Sequence, residues 1–242
     1  MEKDKFWEYF DDESREYVQT IMDAEGDYYD KAEKFITPLL KDNGCVLDIG
    51  NGGILNYEYA SLKELVCADI SVSKKIEEVY KDVPNVAFIE SNIMDMKNVE
   101  DSRFDAVIVQ KVIHHLAENN YSTTRRNCVR AMRECVRVLK PGGILIVCES
   151  TVKRWFECME IAFFKPMMVC CDLVKFDRVY QYSPKSLEKL LDTELGGNTK
   201  LERVEDIGMG DYVLFLGRKF PSWMLPCSVT FYLVRKGADN DG

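Results

Sequence analysis

The sequence has nine cysteines but no C-x-x-C pair, no apolar run near the roughly 20 residues needed to cross a bilayer, and no excess of basic charge. Each absence excludes a class of function. The cysteines stand singly at 45, 67, 128, 135, 148, 158 and 227, with one adjacent pair, Cys170 and Cys171. Without ligand spacing, a metal or redox role is set aside. Several sit inside LVCADI and ILIVCES, where a reduced cysteine acts as a small buried hydrophobe. The first residues, MEKDKFWEYFDDESREY, are acidic where a secretory leader is basic and then apolar. The expectation is an untargeted, cytoplasmic protein with no membrane partner. A net charge of −9 argues against a nucleic-acid partner, because phosphate binding draws on clustered Lys and Arg.

Repeats, low-complexity tracts and Pro/Gly/Ser linkers are also missing, so the 242 residues read as one domain, 1–242. What is present is alternation. Short apolar runs (CVLDIG at 45–50, ELVCADI at 64–70, VAFIES at 86–91, FDAVIVQ at 104–110, GILIVCES at 143–150) alternate with segments suited to helices or loops. Near-continuous apolar strands joined by crossovers imply a parallel sheet covered on both faces. From Tyr121 to Leu139, Cys128, Ala131, Met132, Cys135, Val136 and Leu139 recur at helical spacing, and Lys140-Pro141-Gly142-Gly143 stops the pattern. Beyond 150 the chain turns aromatic and Met-rich. Ser183 is then placed to cap a helix that has Pro184 at its first position. Strands are expected around 203–217 and 228–235, as an antiparallel pair.

The strongest local signal is VLDIGNGG, a strand ending in Asp48-Ile49-Gly50-Asn51-Gly52-Gly53. Glycines there let the chain turn sharply and let backbone N–H groups approach a ligand. A nicotinamide dinucleotide prefers G-x-G-x-x-G, and the residue three beyond Gly52 is Leu55, which counts against one. The next strand ends in Asp69, about 20 residues on, where α/β nucleotide-binding folds place a carboxylate on ribose hydroxyls. A loop Asp that merely caps the next segment is the plainer alternative.

VLDIGNGG, CADIS, VAFIESNI, FDAVIVQKVIHHL and RVLKPGGIL, in that order, resemble the class I S-adenosylmethionine-dependent methyltransferases. The likeness is to the small-molecule group that includes quinone-biosynthesis enzymes, and it covers roughly residues 44–150. It implies a Rossmann-like α/β three-layer sandwich of about seven strands, mostly parallel with an antiparallel last strand. Within it, 1–40 would be an N-terminal helical lid, 44–150 the cofactor core, 151–182 an acceptor-side cap, and 183–236 a closing helix and strands. By the resemblance Gly50, Asn51 and Gly52 line the methionine part of S-adenosylmethionine, with Asp48 among the cofactor-binding residues. Asp69 takes the ribose, Ile70 packs on adenine, Asn92 meets its amine, Ile93 flanks the ring, and Gln110 lies under the sulfonium. Two positions depart from the family pattern: Ile54 stands at the usual third glycine, and Asn92 where Asp is frequent.

His114 and His115 are the only histidines, set just past the fourth strand. An imidazole titrates near neutrality, so His114 is the candidate base, while packing is the plainer reading of both. Tyr28, Tyr29, His115, Glu149, Trp155 and Phe163 are the candidate acceptor-binding residues. The aromatics Phe6, Trp7, Tyr9, Phe10, Tyr17, Tyr28 and Tyr29 would cover the cofactor, and Trp155 to Phe176 the acceptor. The expected reaction moves a methyl group to O or N of a small, largely apolar or aromatic acceptor and leaves S-adenosylhomocysteine. The rivals are a binding module without turnover and a methyltransferase acting on protein or RNA.

Overall fold

The apolar runs become strands because β-branched side chains suit a pleated sheet buried on both faces. They are β1 (Cys45–Ile49), β2 (Glu64–Asp69), β3 (Val86–Glu90), β4 (Phe104–Gln110) and β5 (Leu139–Val152). Strands β6 (Thr199–Asp206), β7 (Tyr212–Phe215), β8 (Arg218–Pro221) and β9 (Cys227–Lys236) complete the set. The structure, a computed structural model, describes residues 28–50, 52–174, 178–195, 198–208, 212–215 and 218–238. One seven-stranded sheet has the order β3-β2-β1-β4-β5-β9-β6, and β7 and β8 form a separate pair. Strand β9 is antiparallel to β5 and β6; the pairings among β1 to β5 are parallel. The fold is the Rossmann-like α/β arrangement expected.

Alternation along each strand divides the core between the two faces. Leu47, Ile49, Val66, Val107, Val109, Leu145 and Val147 point one way. There they meet helix α3 (Tyr121–Val138) and helix α6 (Pro184–Thr193), through Met132, Cys135, Leu187 and Leu190. Val46, Leu65, Cys67, Ile108, Ile146 and Cys148 point the other way, onto Tyr28, Ala32, Phe35 and Ile36 of helix α1 (28–36). Helix α2 (Lys74–Tyr80) lies between β2 and β3; helices α4 (Arg154–Ala162) and α5 (Phe164–Val174) come after β5. The chain moves outward from β1 to β2 and β3, then crosses to β4 on the other side of β1. Their carboxyl ends therefore open at a topological switch point.

Three local expectations are corrected, and the segment after β1 takes an irregular path. No helix joins β1 to β2 among the described residues; a coil fills the space, and the buried Tyr57 hydroxyl donates to Asp48 Oδ2 at 2.6 Å. The Lys140–Gly143 stop is the start of β5, where a register shift between Phe104 and Ala106 and a positive φ at Gly142 mark a bulge. Ser183 is the N-cap of α6 but makes no side-chain cap bond, because its hydroxyl donates to Glu157 Oε2 at 2.6 Å. The run at 203–217 divides: β6 ends at Asp206, and β7 belongs to the small pair. Residues 1–27 of the expected lid, Asn51 and Phe176 lie outside the described residues.

Candidate functional site

The chain leaves β1 with Gly50 at φ +73°, a left-handed conformation that side chains disfavour. A Cβ on Gly50 would stand 2.4 Å from Val112 Cγ2, so glycine is required by space as well as by conformation. Gly53, at φ +84°, is equally closed: its Cβ would meet Ile76 Cγ2 at 2.6 Å. It thus supplies the freedom that Ile54 lacks.

Two cavities meet at Gly50. The larger, about 250 Å³, has Asp69, Ile70, Asn92, Ile93, Val112, His115 and Leu116 in its wall. The smaller, about 130 Å³, is bounded by Tyr28, Tyr29, Ile54, Asn56, Gln110 and Lys111. Asp69 ends β2, and its Oδ1 accepts the Ser71 N–H at 3.3 Å, a long contact. Ile70 is 77% exposed, a large apolar side chain presented at the cavity rim. Asn92 Oδ1 accepts the Met94 N–H at 2.9 Å, an Asx turn that leaves the amide group and a second lone pair for other partners. Ile93 is buried behind it.

Gln110, the last residue of β4, is held by two partners. Its Oε1 accepts the Tyr28 hydroxyl at 3.0 Å, and its Nε2 donates to Asn56 Oδ1 at 2.9 Å. Lys111 comes next with φ +53°, unusual for a side-chain-bearing residue. Its ammonium stands 4.0 Å from the Tyr28 ring centroid, and the residue forms part of the smaller cavity's wall. Asn56 and Lys111 were not singled out from the sequence. The visible signals were an amide soon after the glycine turn and a cation directly after the fourth strand. Tyr28 and Tyr29 adjoin the same cavity as Gln110. Asp48 is fully buried and reaches neither cavity wall. Burial and then the charge of Asp48 push the Tyr57 phenol well above its ordinary range, so it stays a neutral donor.

Strands β4 and β5 are neighbours, with Gln110 opposite Cys148. This register brings the 3-10 turn Ile113–Leu116 against Glu149. Glu149 is buried, and its Oε1 lies 2.6 Å from His114 Nδ1. The same carboxylate accepts the Ile113 N–H through Oε2 and the Ser150 N–H through Oε1, each at 2.7 Å. Its oxygens are therefore occupied by protein donors. A carboxylate facing Nδ1 selects the tautomer with hydrogen there and leaves Nε2 as the basic nitrogen. His115 packs on His114 with ring centroids 4.1 Å apart, and it is His115 that forms part of the larger cavity's wall.

Residues 47–147 match the family profile described as "Methyltransferase domain". This part of the chain is a methyltransferase domain. Its cofactor is S-adenosylmethionine. No curated protein sequence matches the chain. Among solved structures, a SAM-dependent methyltransferase from Methanosarcina mazei is 16% identical, with TM-score 0.55 over 85% of this chain and 98% of that one. A Haloferax volcanii protein solved in complex with the methyltransferase activator Trm112 is 12% identical, with TM-score 0.59 over 91% and 93%. The Burkholderia thailandensis 1,6-didemethyltoxoflavin-N1-methyltransferase, with 1,6-didemethyltoxoflavin and S-adenosylhomocysteine bound, is 12% identical, with TM-score 0.56 over 92% and 86%. At such identities the likeness establishes the fold.

Gly50, Asp69, Ile70, Asn92, Ile93 and His115 are brought together around one cavity, and Tyr28, Tyr29 and Gln110 around the other. Trp155 and Phe163 join neither. They are 61% and 58% exposed on the outer side of α4, because that helix turns Glu157 and Glu160 toward the protein instead. The cap is half core after all, through Phe164 and Met168 of α5.

Proposed function

We propose that this methyltransferase transfers a methyl group to an O or N atom of a small acceptor, with His114 as the base and Glu149 as the residue that positions it. The observation that carries this reading is the 2.6 Å contact of His114 Nδ1 with the buried Glu149 carboxylate, at the adjoining ends of β4 and β5. When bound, S-adenosylmethionine supplies an electrophilic methyl group on a positive sulfur. The remaining tasks fall to the chain. Backbone at Gly50 and Gly52 admits the cofactor closely, Asp69 accepts the ribose hydroxyls, and Ile70 and Ile93 hold the adenine with Asn92 at its edge. Gln110, fixed by Tyr28 and Asn56, lines the methionine end, where Lys111 stands to meet the carboxylate. Asp48 acts indirectly, by anchoring Tyr57. With the cofactor bound, His114 Nε2 would take the proton that the acceptor's O or N loses on methylation, and S-adenosylhomocysteine would be the product.

A small, largely apolar or aromatic acceptor is supported by the rings of Tyr28 and Tyr29 at the smaller cavity, beside the end where the methyl group would lie. It is not supported by Trp155 and Phe163, which face outward. Titration calorimetry is the first test: Gly50→Val should abolish cofactor binding, and Asp69→Ala should weaken it about tenfold or more, at roughly 1.5 to 3 kcal/mol per charge-assisted hydrogen bond. Turnover on phenols and amines, monitored by S-adenosylhomocysteine release, is the second. His114→Gln should lower turnover about a hundredfold or more while leaving cofactor affinity within about twofold. Unchanged binding by Gly50→Val would sink the cofactor site. Binding without methylation of any small acceptor would leave a binding module, and methylation of protein or RNA alone would replace the acceptor class.

A further inference from the structure

Helix α4 is inside out. Its buried positions are Glu157 and Glu160, and its outer face carries Trp155, Cys158, Met159, Ala162 and, at the C-cap, Phe163. Helix α5 continues the surface with Val169, Cys170 and Leu173, the last 78% exposed. The Lys153 N–H bonds the Pro226 carbonyl at 2.8 Å, so the start of α4 lies beside the segment carrying Trp223 and Met224, exposed by 83% and 54%. Soluble monomers rarely leave so many large apolar side chains together in water.

Among the described residues the unpaired charges around this face are cationic. Lys153 and Lys165 are exposed, Arg154 is exposed and bonded to Glu157 beneath the helix, Glu160 is withdrawn there too, and Asp172 is paired with Arg178. That is a cationic margin on a chain whose net charge is −9. Tryptophan and methionine flanked by Lys and Arg, on helices lying flat against a protein, is the composition that settles at a bilayer's headgroup level. A second copy on the same face would oppose these cations to their own counterparts across a two-fold axis, which disfavours it. No helix of the described residues is long and apolar enough to cross a membrane, so the contact is with a surface. We propose that the outer face of α4 and α5, with Trp223 and Met224, docks this protein on an anionic lipid surface. The proposal is independent of the reaction assigned above.

Flotation of the full chain with phosphatidylcholine vesicles, with and without about a third phosphatidylglycerol, tests it. The wild type should float with the anionic vesicles and be released by high salt. Each of Lys153→Gln and Lys165→Gln should weaken binding roughly fivefold, since a surface cation contributes about that factor. The pair Trp155→Ser and Trp223→Ser should abolish flotation with the thermal midpoint unchanged, both side chains being in water already. No flotation of the wild type overturns the proposal. So does equal flotation of the variants, or a concentration-dependent dimer in sedimentation that the Trp pair abolishes.

Discussion

Helix α3 runs into β5 and helix α4 runs out of it, and the two turn opposite kinds of residue toward the sheet. Helix α3 buries Cys128, Ala131, Met132, Cys135 and Val138, the stripe that its 3.6-residue spacing defines. Helix α4 buries two carboxylates. Glu157 is there because a second element needs it: its carboxylate accepts the Ser183 hydroxyl at 2.6 Å, Ser186 at 2.8 Å, Tyr180 at 3.2 Å and Arg154 at 3.0 Å. Ser183 and Ser186 open α6, where a negative charge also suits the helix dipole. One helix is thus oriented by its own apolar stripe and the other by the polar demands of a neighbour far along the chain.

The largest effect that tests this contrast is in α3. Met132 has no exposed surface and belongs to the core that the sheet shares with α6, so Met132→Ala should cost about 2 to 5 kcal/mol, the range for such a truncation with its cavity. Urea unfolding monitored by circular dichroism measures it. A loss under about 1 kcal/mol would mean that α3 yields easily, and the contrast would lose its rigid member.

The same contrast explains what was legible in the sequence. Strands β1, β2, β4 and β5 and helix α3 are read from periodicity, since each buries what its own residues dictate. Gly50, Asp69, Asn92 and Gln110 are read from their places at strand ends. The outward turn of Trp155 and Phe163 is not readable, because it depends on Glu157 meeting Ser183 and Ser186 across about 30 residues. Glu149 is a similar case: its place toward the carboxyl end of β5 is visible, but its commitment to His114 depends on the β4–β5 register. Asn56 and Lys111 sit in coil and at a positive-φ turn, where no period marks a residue.

A smaller and pH-dependent effect belongs to Glu160. Its Oε2 has no hydrogen-bond partner among the described residues, and burial, aided by the charge of Glu157, raises its pKa from 4.5 to about 8. The folded protein therefore keeps a proton that the unfolded chain sheds earlier. Between pH 4.5 and about 8 the unfolded state binds fewer protons, so this group's contribution to stability falls as pH rises and is fully lost above that window. Glu160→Gln removes the titration. Relative to wild type it should gain stability from pH 5 to 8.5, by on the order of 1 to 3 kcal/mol. The comparison with wild type at each pH cancels any constant cost of the amide. A flat difference would show that Glu160 is solvated, and would weaken the claim that α4 holds its carboxylates inside.

The smallest expected effect is on the outer face of α4. Met159 is 40% exposed and lies one turn beyond Trp155, on the side opposite Glu157 and Glu160. Glutamine has nearly the helix propensity of methionine and similar length, so Met159→Gln changes only what the side chain presents to water. If the outer face is unpacked in the free protein, the cost should fall within about 0.5 kcal/mol, as at ordinary surface sites. Set beside the loss from Met132→Ala, this compares two methionines on helices flanking one strand. A cost above about 1.5 kcal/mol in the same urea assay would place Met159 in a packed interface in solution, and α4 would then bury an apolar face as α3 does.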